Sequence, residues 1–211
     1  MKDRIVMRLL IYFGGVVSVS LGIVFCKKCG LGISPISSIP FVLEDILPLS
    51  FGMLTMLFHF VNTALQLILR KKLLDIKILL QTVLAMLFGF IIDFFNELVN
   101  VNTSVLAWQV IALGLSILFT AFGMLLMLHA DLIQNPPDGT VKTISKITGR
   151  KIGTVKIIYD WTCVGISVAI GFIFLHKLKG FGVATVASAF LVGRTLTWMQ
   201  AAFMRIGLTG K

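Results

Sequence analysis

The sequence predicts an all-α integral membrane protein with six transmembrane helices, arranged as two inverted three-helix repeats. Three observations lead to this prediction: 57% of the 211 residues are hydrophobic, only 13% are charged, and long apolar stretches recur along the whole chain. An ordinary soluble domain carries roughly a quarter charged residues. A chain this apolar cannot bury its surface in water, whereas a bilayer core about 30 Å thick accepts roughly 20 apolar residues per helical crossing.

Six stretches are long enough to cross a bilayer as helices. They are 9–25, 51–69, 78–95, 105–128, 154–175 and 181–204. The basic start MKDRIVMR resembles the front of a signal peptide, but no A-x-A-like cleavage site follows it. We therefore expect the first stretch to be a retained helix.

The distribution of Lys and Arg predicts the orientation, because cytoplasmic loops retain positive charge during insertion. Both termini are predicted to be cytoplasmic. This choice places Lys2, Arg4, Arg8, Arg70, Lys71, Lys72, Lys77, Lys142, Lys146, Arg150, Lys151, Lys156, Arg205 and Lys211 inside, and only Lys27, Lys28, Lys177 and Lys179 outside. The net charge of +10 follows from this bias. It suits contact with anionic membrane lipids and requires no nucleic-acid partner.

The two halves of the chain are similar to each other at a constant offset of 101 residues. This offset aligns Gly22 with Gly123, Ser34-Pro35 with Asn135-Pro136, and Gly52 with Gly153. It predicts one membrane domain made of an N-terminal repeat, 1–100, and a C-terminal repeat, 101–211. Because each half has three crossings, the second is predicted to be inverted relative to the first, as in many secondary transporters.

A short, broken segment follows the first crossing of each half. The two segments read LGISPISSIPFVLEDILPLSFG and DLIQNPPDGTVKTISKITGRKIG, and their prolines disfavour continuous helix. Short helices are predicted to start at Ser37 or Ser38 and at Asp138, which are good N-cap residue types. We interpret both segments as re-entrant or interfacial, with loops on the membrane surface as the alternative. Ser34, Ser37, Asn135 and Asp138 are therefore candidate solute-binding residues, and the two helix starts favour an anion.

The same segments resemble a known family. LGISP followed by a serine-rich stretch and a Gly before the second crossing, with NPPDGT recurring in the second half, is similar to the YczE/YyaS/YitT family of bacterial polytopic membrane proteins. The resemblance implies a multi-pass protein of the bacterial cytoplasmic (inner) membrane with a poorly defined activity. It supplies no site residues.

Four ionisable residues lie inside predicted crossings, where charged groups are costly and need a partner or a task. They are His59, Asp93, Asp160 and Arg194, and the 101-residue offset aligns His59 with Asp160 and Asp93 with Arg194. Their predicted depths pair His59 with Asp93 and Asp160 with Arg194. Two interpretations stay open: the pairs lock helices together, or Arg194 binds an anion while His59 and Asp93 exchange a coupling proton.

These features predict a secondary transporter or channel-like carrier for a small solute, with an anion as one candidate, bound between the two repeats. The alternative is a non-transporting scaffold or regulator that associates with proteins or lipids. No enzyme motif is present, and no cofactor or metal is predicted. Cys26 and Cys29 form a C-x-x-C for which a redox or disulfide role is one interpretation, while Cys163 is read as apolar filler. A homo-oligomer is left open.

Overall fold

The computed structural model describes residues 2–71 and 75–205, so Lys72 and Lys211, two of the residues used to predict orientation, lie outside the described residues. Within these ranges the chain forms eight α-helices, with a 3-10 turn before α2 and a π-helical turn, Gly171–Leu175, after α7. The helices are α1 (Lys2–Lys28), α2 (Ser38–Leu43), α3 (Phe51–Arg70), α4 (Ile76–Leu98), α5 (Leu106–Ala130), α6 (Pro136–Thr148), α7 (Ile152–Ile170) and α8 (Val183–Arg205).

Five helices of the described ranges are long and apolar enough to cross a membrane: α1, α3, α4, α5, and α7 with its π-helical turn. The structure therefore has the character of a multi-pass membrane protein. The sixth predicted crossing, 181–204, falls on α8, which has 23 residues but is not among the five. Its apolar run is interrupted by Ser188, Arg194 and Thr197. The sixth crossing stays a prediction.

The two broken segments fold differently from each other. The first forms a 3-10 turn, Pro35–Ser37, that leads into the six-residue α2. The second forms the 13-residue α6, and Pro136 and Pro137 start this helix rather than interrupt it. Proline is tolerated at a first helical position because its missing N–H has no intrahelical partner there. Asn135 therefore occupies the N-cap position, and the prediction that Asp138 caps this helix is wrong.

The order of helices recurs at the 101-residue offset. Moved by that offset, the start of α3 coincides with the start of α7, and the start of the 3-10 turn at Pro35 coincides with the start of α6. This order does not reveal how the halves are oriented. The inverted repeats, 1–100 and 101–211, stay a prediction.

The chain divides into two compact units, and each unit draws on both halves of the sequence. Unit 1 comprises Met1–Ser34, Phe94–Leu132 and Gly182–Lys211, and thus contains α1, α5 and α8. Unit 2 comprises Pro35–Asp93 and Ile133–Phe181, and contains α2, α3, α4 up to Asp93, α6 and α7.

In unit 1, the main packing interface joins α1 to α5 through glycines. A Cβ atom added to Gly123 would lie 2.6 Å from the Gly15 carbonyl oxygen and 2.6 Å from the Val19 nitrogen. The Ser18 hydroxyl also donates a hydrogen bond of 2.8 Å to the Phe119 carbonyl. Small residues permit such close backbone contact between membrane helices, and dispersion between the closely packed atoms then stabilises the pair.

Candidate functional site

The buried side of α3 in unit 2 is polar, and its outer side is apolar. Thr55, His59, Asn62, Thr63 and Gln66 are all buried, and together they form what we call the polar face of α3. On the outer side Val61 is 64% exposed. This arrangement is typical of a helix surrounded by lipid, where apolar side chains face the hydrocarbon and polar groups need partners inside the protein.

Gln66 joins three helices at one end of this face. Its side-chain nitrogen donates to Gln81 Oε1 of α4 at 2.8 Å and to the Pro136 carbonyl of α6 at 3.0 Å. The Gln81 nitrogen donates back to Gln66 Oε1 at 3.3 Å. Gly139 makes this contact possible, because a Cβ atom there would lie 2.6 Å from Gln66 Oε1.

Asn62 joins α3 to α7 one helical turn away. Its Oδ1 accepts a hydrogen bond of 2.6 Å from the Tyr159 hydroxyl, and its Nδ2 donates to the Phe58 carbonyl at 2.9 Å. The Thr140 hydroxyl of α6 donates to the Asn62 carbonyl at 3.2 Å. The site therefore combines residues of both halves of the chain within unit 2.

His59 occupies the middle of the polar face. It is 2% exposed, its ring meets the Phe88 ring edge-on with centroids 5.4 Å apart, and its Nδ1 atom has no hydrogen-bond partner. Asp93, its predicted partner, instead accepts hydrogen bonds from the Ser50 hydroxyl at 2.5 Å and the Gly52 backbone N–H at 2.7 Å. The predicted contact between His59 and Asp93 is therefore wrong.

The start of α3 explains why Asp93 contacts Ser50 and Gly52 instead of His59. The first N–H groups of a helix have no intrahelical acceptor and carry a partial positive charge, so they attract a carboxylate. Gly52 and Gly89 bring the backbones of α3 and α4 close enough for Asp93 to reach this start. His59 is seven residues further along α3, which corresponds to roughly 10 Å of helix.

Asp160 also has a different partner from the predicted one. Its Oδ1 lies 2.6 Å from Lys156 Nζ, one turn earlier on the same helix. Arg194, the predicted partner, lies on α8 in unit 1 with its side chain exposed. Lys156 and Asp160 are four residues apart on one helix, so they can pair without any contact between helices. The prediction compared only the depths of residues on different helices and therefore did not find this pair.

The four loop candidates belong to different elements of the chain. Ser34 ends the first segment of unit 1, whereas Ser37 is buried in the 3-10 turn of unit 2. Asn135 precedes α6 and makes no side-chain capping bond, and its Oδ1 is buried without a hydrogen-bond partner. Asp138 lies half-buried in the first turn of α6. Only Asn135 and Asp138 therefore belong to the helix that Gln66 contacts.

Three contributors to the site were missed by sequence reasoning: Gln81, Thr140 and Tyr159. Gln81 is a lone amide near the start of the predicted crossing 78–95, where a polar side chain needs a partner inside the protein. Tyr159 precedes Asp160 in the sequence and was not among the candidates. Its hydroxyl, however, needs a hydrogen-bond partner when the ring is buried.

The site offers hydrogen-bond donors and acceptors and no fixed charge on the polar face itself. Among the described residues, three buried side-chain atoms lack a partner: Ser20 Oγ in unit 1, and His59 Nδ1 and Asn135 Oδ1 in unit 2. Such atoms are uncommon in native proteins and often mark a place that water or a ligand completes. No group of three or more His, Cys, Asp or Glu residues is placed to hold a metal in the described part of the chain.

Comparison with known proteins places the chain in a family without naming an activity. No curated protein and no solved structure matches it. A family model, described as a family of unknown function, matches residues 6–201, which is nearly the whole chain. The chain therefore belongs to the family of unknown function DUF6198.

Proposed function

We propose that this chain is a secondary transporter or channel-like carrier, without enzymatic activity, that binds a small, uncharged, hydrogen-bonding solute at the polar face of α3. The observation that leads to this proposal is that unit 2 has two buried polar atoms without a partner: His59 Nδ1 on the polar face of α3, and Asn135 Oδ1 at the start of α6, the helix that Gln66 contacts. A buried polar group without a partner costs roughly 1 to 3 kcal/mol. A solute that hydrogen-bonds to such atoms recovers that free energy.

The local charges favour an uncharged solute over the anion that the two helix starts suggested. Pro136 and Pro137 occupy the first helical positions of α6 and have no N–H groups to offer. The Asp138 carboxylate already lies in the first turn, where it complements the helix dipole. Lys156, the cation nearest in sequence to Tyr159, is neutralised by Asp160.

The proposal includes a six-crossing architecture with inverted repeats, in which α8 is the sixth span. The recurring order of helices and the asymmetric distribution of Lys and Arg support it. The same asymmetry supports a bacterial inner membrane with both termini in the cytoplasm, in line with the resemblance to the YczE/YyaS/YitT family. The solute and the membrane lipids are the proposed partners, and no nucleic acid is required.

Ligand-induced thermal stabilisation of the purified protein tests this function. A ligand that binds only the folded state raises the melting temperature by an amount that grows with the logarithm of its concentration relative to its Kd. At least one neutral polyol, amide or nucleoside should raise the melting temperature, whereas matched anions and cations should not raise it. The shift should disappear in His59→Leu and Asn135→Ala. It should persist in Val61→Leu and Gln134→Ala, which change exposed neighbours of the same two residues.

Two results would count against the proposal. Stabilisation by anions alone would restore the anionic solute as the better choice. A hit that stays unchanged in both His59→Leu and Asn135→Ala would place the binding site elsewhere in the protein.

A second candidate function is a non-transporting scaffold or regulator that associates with proteins or lipids. One observation favours it: most of the polar face is already saturated by protein partners, such as Gln81 for Gln66 and Tyr159 for Asn62. Interhelical hydrogen bonds of this kind lock membrane helices together at about 0.6 kcal/mol each. A screen in which only lipids stabilise the protein supports this candidate instead.

A further inference from the structure

The two cysteines at the end of α1 are close enough to form a disulfide. Cys26 lies in the last turn of α1, and the Cys29 N–H still donates to the Phe25 carbonyl at 3.0 Å, so the helical geometry extends to Cys29. Residues three apart on a helix have Cα atoms about 5 Å apart. Disulfides require Cα separations of roughly 4.4 to 6.8 Å, and the spacing of Cys26 and Cys29 lies within this range.

Both thiols are free and buried, with exposures of 1% for Cys26 and 0% for Cys29. The Cys29 sulfur lies 3.0 Å from the Cys26 carbonyl oxygen, and it accepts a hydrogen bond of 3.5 Å from the Leu31 N–H. A hydrogen bond from the Cys26 thiol lowers the pKa of the Cys29 thiol to about 7. At neutral pH Cys29 is therefore the better nucleophile of the pair, since the thiolate is the reactive form.

We infer that Cys26 and Cys29 form a redox-active dithiol, a modification site that a small peroxide oxidises reversibly to an intramolecular disulfide. The inference is independent of the proposed solute site, which lies in unit 2, whereas both cysteines lie in unit 1. Burial selects a small oxidant, because a bulky disulfide reagent cannot reach either sulfur. The neighbouring Gly30 is exposed.

The chemistry balances in two steps. The Cys29 thiolate attacks one peroxide oxygen, the O–O bond breaks, and sulfenic acid and hydroxide form. The Cys26 sulfur then attacks the sulfenic sulfur, the S–S bond forms, and the S–O bond breaks. The thiol proton leaves with the hydroxyl group as water. Two thiols lose two electrons in total, and one hydrogen peroxide accepts them and becomes two waters. Dithiothreitol returns both thiols by exchange.

Cys163 is the matched control within the same chain. It is buried to a similar degree, at 4% exposure, but it lies in α7 in unit 2 and no other cysteine is near it in sequence. Any difference in chemistry between Cys163 and the C-x-x-C pair therefore reflects the second thiol rather than burial.

The experiment treats the full-length purified protein with hydrogen peroxide, removes the oxidant with catalase, unfolds the protein, and alkylates the remaining thiols. Before alkylation, the intact mass should be lower by about 2 Da, the mass of two hydrogens, and after alkylation the oxidised protein should carry one alkyl group where the reduced protein carries three. Cys26 and Cys29 should lose alkylation together, while Cys163 stays alkylated. Dithiothreitol, added to the unfolded protein before alkylation, should restore the alkylation. Equal alkylation of all three cysteines, or a disulfide between two chains, would overturn the inference.

Two single substitutions separate the roles of the sulfurs. In Cys26→Ser the sulfenic acid of Cys29 has no thiol to condense with, so dimedone should trap it. In Cys29→Ser no sulfenic acid should be trapped at Cys26, because the reactive thiolate is missing. Trapping at Cys26 in place of Cys29 would overturn the assigned order of steps. The mass measurement on the wild-type protein shows whether the disulfide forms, even if the variants do not fold.

Discussion

The α1–α5 interface of unit 1 and the polar face of α3 in unit 2 hold membrane helices by different means. At the first, Gly15 and Gly123 let two backbones approach until only a glycine fits. At the second, amide and hydroxyl side chains form hydrogen bonds between helices, and His59 keeps an unpartnered polar atom. Close glycine packing needs no ligand to complete it. A polar face with an unfilled hydrogen bond does. Unit 2 has two such buried atoms, His59 Nδ1 and Asn135 Oδ1, against Ser20 Oγ alone in the described part of unit 1, and we therefore place function in unit 2.

The largest effect is expected at the glycine contact. In Gly123→Ala the new Cβ meets backbone atoms of Gly15 and Val19 that no rotamer change can move, so α1 and α5 must separate. Overpacking of this kind costs roughly 1 to 3 kcal/mol. The melting temperature in detergent should fall by several degrees. Gly114→Ala on the same helix, where a Cβ atom meets nothing within 4 Å, is the control and should leave it unchanged. Equal losses in both variants would contradict the packing argument.

The amide pair of unit 2 comes next in size. Gln66→Leu leaves the buried Gln81 amide without its partner, and the expected loss is about 1 to 2 kcal/mol in thermal unfolding. Replacing both residues by leucine should recover most of that stability, since no polar group is then left unsatisfied. If the double variant loses as much stability as the two single variants added together, the two amides do not interact with each other.

Tyr159→Phe should have a smaller effect. It removes only the hydroxyl that donates to Asn62, so a loss of about 0.6 kcal/mol is expected. The aligned residue of the first half, Phe58, already lacks this hydroxyl, so the ring itself suits the position. Trp161→Phe, at an exposed neighbour, is the control for a general loss of aromatic bulk. A larger loss of stability in Trp161→Phe than in Tyr159→Phe would contradict a specific contribution of the Tyr159 hydroxyl.

The smallest effect is expected at the Lys156–Asp160 pair. Both side chains are partly exposed, and ion pairs four residues apart on a helix contribute about 0.3 to 0.5 kcal/mol. Lys156→Gln should lower the free energy of unfolding by no more than that amount. Lys151→Gln, which changes an exposed cation without a role in the site, is the control and should have a similarly small effect. A loss above 2 kcal/mol would show that Asp160 depends on Lys156 far more than its exposure suggests.

The all-α, membrane-spanning character was predictable because lipid imposes strong constraints on composition and length, whereas the six-crossing inverted repeat stays a prediction. Five of the six predicted crossings coincide with long apolar helices, and the interruption of α8 by Arg194 explains why the sixth is weaker. The contacts of the ionisable residues were less predictable. Depth alone paired His59 with Asp93, yet the backbone N–H groups at the start of α3 compete for that carboxylate. A hydrogen bond from a backbone N–H group to a carboxylate cannot be inferred from the sequence pattern of side chains.

Cysteine accessibility tests most directly whether the polar face of α3 lines a solute route. In a protein whose native cysteines are replaced by serine, Asn62→Cys places a thiol on the polar face, and Val61→Cys places one on the outer side of the same turn. A membrane-impermeant, water-soluble thiol reagent should label Asn62→Cys in proteoliposomes and leave Val61→Cys in lipid unlabelled, because a carrier must open this buried face to water. Failure to label Asn62→Cys from either side of the membrane would contradict the solute route and favour a static scaffold.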